Sequence, residues 1–128
     1  MNSEDNFLME LNDFEEILSI TNLIHDFRKA DVYWELRTSI LLGKSRDYLN
    51  LYLIPEDGVF YLSDSNNIYA VLDDYYDVDD EKLSKAANEV GLGYEEYRFH
   101  IAVTTETITT ALLKYQKAVS ALTGGFVS

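Results

Sequence analysis

At Asp31 the hydrophobic period of this chain changes from three-and-four to two, and that change restricts its fold more than any single residue does. Trp34, Leu36, Thr38, Ile40 and Leu42 fall on one side of an extended segment, with Tyr33, Glu35, Arg37 and Ser39 on the other. After the polar turn Gly43-Lys44-Ser45-Arg46-Asp47 the alternation resumes, with Leu49, Leu51 and Leu53 facing in and Tyr48, Asn50 and Tyr52 facing out. Pro55-Glu56-Asp57-Gly58 reads as a tight turn, since Pro presets φ and Gly accepts positive φ. Val59 to Ser63 returns as a third strand, so residues 32–63 are predicted to form an antiparallel meander. Its apolar face must be covered by something.

The helical patterns on either side supply the cover. Phe7, Leu11, Phe14, Leu18 and Thr21 predict an N-terminal amphipathic helix over about residues 3–29. Glu4, Asp5, Glu10, Asp13, Glu15 and Glu16 crowd its first half and His25, Arg28 and Lys29 its end, the order a helix dipole favours. Ser19 to Thr21 is the weak point, where a kink or break is expected. Between residues 67 and 90 two short helices are predicted. The first carries Ile68, Val71, Leu72 and Tyr75; the second starts near Asp79 or Asp80, carries Leu83, Ala86, Ala87 and Val90, and stops at Gly91. One strand over 94–104 alternates Tyr97, Phe99, Ile101 and Val103 with Arg98, His100 and Ala102. Thr105 is the expected N-cap of a C-terminal amphipathic helix over 105–123, striped by Ile108, Ala111, Leu112, Tyr115, Val119 and Leu122. The expected class is α+β: a small antiparallel sheet of about four strands with helices on one face.

Composition narrows the function. A chain of 128 residues is expected to form one domain, 1–128. Ten Lys+Arg against 23 Asp+Glu leave a net charge of −13, which speaks against direct nucleic-acid binding, because phosphate neutralisation needs clustered Lys and Arg. With 47% apolar residues the chain is too rich for a disordered acidic tail. The absence of Cys removes disulfides, thiolate nucleophiles and sulfur-based zinc sites. No apolar run approaches the roughly 20 residues that span a bilayer, and Met1-Asn2-Ser3-Glu4-Asp5 lacks the basic start of a signal peptide, so a cytoplasmic protein without a membrane partner is expected. Monomer and homodimer both remain open.

The densest chemical feature is Asp73, Asp74, Asp77, Asp79, Asp80 and Glu81, with Tyr75 and Tyr76 among them. Such a cluster attracts cations or a basic surface. As a calcium loop it lacks the Gly and Glu that an EF-hand needs at its sixth and twelfth positions. Counting from Asp74, those places hold Asp79 and Lys85; counting from Asp77, they hold Lys82 and Asn88. The plain alternative is a solvated loop whose last acids cap the next helix. His25 and His100 sit in no motif and read as surface or capping residues; neither a Gly-x-Ser-x-Gly elbow nor a phosphate-cradling Gly loop is present. No catalytic residue, metal ligand or cofactor is therefore assigned. The ten Tyr suit both an interface and the rim of a small core.

Thr38-Ser39-Ile40-Leu41-Leu42, Tyr48-Leu49-Asn50-Leu51-Tyr52-Leu53 and Gly58-Val59-Phe60-Tyr61-Leu62-Ser63-Asp64 together resemble a family of small bacterial and phage proteins. It is catalogued as domain of unknown function eighteen twenty-eight. Ser39 stands where that family usually has Pro, and Ser63-Asp64-Ser65-Asn66 where it has Thr-Asp-Asp-Gly. The family brings no established catalytic residues. What the resemblance implies, joined to the acidity, is a noncatalytic protein-interaction module of a phage or mobile element. Its expected partner is a basic surface of another protein, such as a nucleic-acid-binding host defence effector, which it would inhibit by nucleic-acid mimicry in anti-CRISPR or anti-restriction fashion. Asp73, Asp74, Tyr75, Tyr76, Asp77, Asp79, Asp80 and Glu81 are its expected partner-binding residues. Two alternatives stand beside it: an accessory domain that binds a partner helix or self-associates through the C-terminal stripe, and a divalent-metal-dependent acidic hydrolase.

Overall fold

The structure, a computed structural model, describes residues 13–124. Helix α1 covers residues 13–20. There follow β1 (Ile24–Lys29), β2 (Trp34–Leu41), a single 3-10 turn (Gly43–Ser45), β3 (Tyr48–Glu56) and β4 (Val59–Ser63). The second half holds α2 (Asn67–Leu72), α3 (Asp80–Val90), β5 (Gly93–Glu95), β6 (Arg98–Val103) and α4 (Ile108–Leu122). The strands form one antiparallel sheet of six in the order β1-β2-β3-β4-β6-β5, with helices packed on it. The α+β class stands; the expected sheet of about four strands does not.

Two local events add the extra strands. The N-terminal helix does not continue to residue 29, and the part expected over 3–12 lies outside the described residues. At its weak point the hydroxyls of Ser19 and Thr21 donate back to the carbonyls of Glu15 and Ile17, and the helix ends there. The chain turns and pairs as β1 on β2, where Phe27 stacks on Trp34 at 5.4 Å. The cations that looked like a helix C-terminus are strand side chains: Arg28 pairs with Glu35 across the ladder, and His25 lies within β1. The second event is at Glu96-Tyr97. Both residues take positive φ, 48° and 66°, which folds the expected single strand over 94–104 into the β5–β6 hairpin. Tight hairpin turns of this kind usually advertise themselves with Asn-Gly or Asp-Gly, and none is present here.

Smaller corrections follow the same logic. Pro55 and Glu56 belong to β3, paired with Phe60 and Val59, and the turn is Asp57-Gly58 alone, at φ 53° and 77°. Pro55 lies past the last β2–β3 pair, Trp34 with Leu53. The C-terminal helix starts at Ile108, not at Thr105, because the Thr107 hydroxyl accepts from the Thr104 amide and holds the preceding turn.

The alternation sorts the sheet into two faces as expected. Trp34, Leu36, Thr38, Ile40, Leu49, Leu51, Leu53, Phe60, Leu62 and Phe99 are buried against the helices. Phe14 of α1 meets Phe60 edge-on at 5.0 Å, and Tyr115 of α4 donates to the Leu62 carbonyl at 2.7 Å. Each fully buried Leu or Phe adds about 1.5–3 kcal/mol over its exposed state, so this face is where the fold is held. The opposite face carries Arg28, Glu35, Arg37, Asn50, Tyr52, Tyr61 and His100. Among the described residues no helix is long and apolar enough to cross a membrane.

Candidate functional site

The acidic segment leaves α2 and enters α3, and its residues divide their work. Asp79 is the N-cap of α3: its Oδ1 accepts from the Lys82 amide at 2.8 Å. Lys82 Nζ folds back to the Asp77 carbonyl at 2.7 Å and to its carboxylate at 3.3 Å. Asp80 accepts from the hydroxyl of Tyr94 on β5, whose pKa is pushed up first by burial and then by that hydrogen bond. Tyr76 turns inward. Its hydroxyl accepts from the Lys44 amide at 2.9 Å and fills the space beside Gly43, where a Cβ would overlap it. Val78 is buried as well.

Asp73, Asp74, Tyr75 and Glu81 remain. All four are exposed, Tyr75 at 50%, and none makes a side-chain hydrogen bond or ion pair within the described residues. Of eight expected partner-binding residues, Tyr76, Asp77, Asp79 and Asp80 make contacts that build the loop or its anchorage, and seven of the eight are exposed; Tyr76, expected as an anchor, is the half-buried strut. Across 73–82 six carboxylates face one cation, Lys82. Among the described residues no group of three His, Cys, Asp or Glu side chains is placed to hold a metal ion. In the C-terminal stripe, Ile108, Leu112, Tyr115 and Val119 are all buried in the core, so these four side chains offer no outer face to a partner helix.

The segment that precedes the loop holds a carboxylate that acidity alone did not distinguish. Asp64, fully buried, accepts from the amides of Asn66 at 3.2 Å, Ile68 at 3.0 Å and Phe99 at 2.8 Å. It caps the start of α2 and ties that helix to β6. Burial raises its pKa, against the pull of those amides.

A second feature escaped the sequence reading. Where β2 and β3 part, a half-open cleft of about 610 Å³ lies between the strands and α2. The ladder pairs Arg37 with Asn50 and resumes only at Leu41 with Tyr48. Thr38 bridges the irregularity, donating to the Leu49 carbonyl at 2.8 Å and accepting from the Ile40 amide at 3.1 Å. On β1 a slip between Ile24 and Asp26 brings His25 to the rim, and the Asn50 amide donates to Asn67 Oδ1 at 3.0 Å, fixing α2 as the far wall. Bulges often re-aim side chains beside functional sites. Comparison with protein-family models, with curated proteins and with solved structures found no match to this chain.

Proposed function

We propose that this chain is a noncatalytic interaction module that binds a basic surface on a nucleic-acid-binding protein through the loop between α2 and α3. The carrying observation is the exposure of Asp73, Asp74 and Glu81, which make no side-chain hydrogen bond or ion pair in the described residues, around the half-exposed Tyr75. Charge displayed this way repels its own copy and attracts Lys and Arg, while Tyr offers contact area at small entropic cost. The acids would stand in for phosphates and compete with nucleic acid for the partner. The resemblance to a phage-associated family makes an inhibitor of a host defence protein the preferred form of this reading.

The test is capture of nucleic-acid-binding proteins by the full chain, followed by titration of the captured protein with and without duplex DNA at rising salt. Displacement by DNA and a steep loss of affinity as the Debye length falls to about 8 Å at 0.15 M support the proposal. Binding indifferent to both DNA and salt contradicts it.

A further inference from the structure

Beyond the acidic loop, and independently of it, we propose that the cleft between the parted β2–β3 strands and α2 is a binding site for a small ligand of the nucleoside-phosphate class. The volume, about 610 Å³, lies within the roughly 300–1,000 Å³ usual for small-molecule sites. Its walls come from β1, β2, β3, the turn between β2 and β3, and α2, so ligand-binding groups converge there from distant parts of the chain.

The chemistry of those walls selects the ligand. His25 and Arg37 stand on the β1–β2 side, and Arg37 is held only loosely, its Nε 3.9 Å from Asp26. A guanidinium with free donors suits a phosphate, which it can grip through two parallel hydrogen bonds. Tyr48, 58% exposed, lines the cleft, and its ring is a surface on which a planar base can stack. Asn50 lines the wall between them; the Asn67 oxygen is taken by the Asn50 amide, which leaves the Asn67 NH₂ to donate to a base edge. Ser39 adds a hydroxyl, and Asp47 can accept from an amino group or a ribose hydroxyl. Val71 and the Tyr48 ring are the apolar groups among otherwise polar lining residues, and a bare phosphate would leave that ring unused.

Adenosine monophosphate is the probe, titrated into the full chain by calorimetry, with adenosine and inorganic phosphate as separate arms. The expected result is binding of the nucleotide, with each fragment weaker than the whole by about tenfold or more. Arg37→Gln should weaken the nucleotide by about tenfold, and Tyr48→Ala by a similar factor, because each removes one of the two recognition elements. Both positions are exposed, and the comparison is made on variants whose circular dichroism matches that of the parent chain. Absence of nucleotide binding at about 5 mM, or binding that neither variant alters, overturns the proposal. So does inorganic phosphate binding as tightly as the nucleotide, which would reduce the cleft to a simple anion contact.

Discussion

Helix α4 and the loop from Asp73 to Glu81 use the same side chain in opposite ways. In α4, Tyr115 is fully buried, its ring 6.5 Å from Phe99 and its hydroxyl spent on the Leu62 carbonyl. In the loop, Tyr75 leaves half its surface in water beside Asp73 and Asp74. The neighbouring Tyr76 shows that the loop could have hidden an aromatic ring, since it does so one residue later against Gly43. Burial in this chain follows the periodic stripe, and exposure persists where charge surrounds the ring. The lesson is a division of labour: α4 holds the sheet, and the loop is held by Tyr76, Val78, Asp79 and Asp80 so that its other residues can face outward.

The largest effect should come from breaking the buried member. Tyr115→Ala is expected to lose about 3–5 kcal/mol of stability, through the cavity it leaves and the lost hydrogen bond to the Leu62 carbonyl. Chemical denaturation measures this, and a loss below about 1 kcal/mol would mean that the core closes around the gap. Gly43→Ala tests the strut beneath the loop. It must hold φ at +58° and displace the Tyr76 hydroxyl, so a loss of about 1–3 kcal/mol is expected. Tyr75→Ala, by contrast, should change stability by no more than about 0.5 kcal/mol.

A pH series sharpens the contrast from the fold's side. The folded pKa of Asp64 is raised above its ordinary value near 3.8, so the unfolded chain releases that proton first as pH rises. This group's contribution is fully present below the unfolded pKa and is lost as pH climbs through the folded one. The stability penalty of Asp64→Asn should therefore shrink as pH rises through that window. A penalty that grows instead would show the three amides outweighing burial.

Much of the architecture was legible because alternation and helical stripes report burial directly. Leu36, Leu51, Leu62, Leu112 and Tyr115 are where their periods place them. What escaped depends on backbone geometry that side chains did not announce. Glu96 and Tyr97 adopt left-handed φ without Asn or Gly, and the charges on β1 imitate the end of a helix. The candidate loop could be read as a cluster, but composition could not divide it into struts and exposed acids; that division needs the partners Tyr94, Lys44 and the Lys82 amide, which arrive from other segments. The cleft was invisible for a related reason. It exists only where two registers slip, and neither slip leaves a mark in the period.

Charge reversal in two places with equal arithmetic tests the central claim most directly. Asp73, Asp74 and Glu81 changed to Lys add two units each and take the chain from −13 to −7, and so do Asp13, Glu15 and Glu16 on α1. Long-range attraction treats the two variants alike, whereas local contact does not. With both shown folded by circular dichroism, affinity for the captured partner is measured at one salt concentration. The account predicts a loss of about tenfold or more for the loop variant beyond that of the α1 variant, as for charges removed from a closed interface. Equal losses, or a larger one from α1, would contradict it.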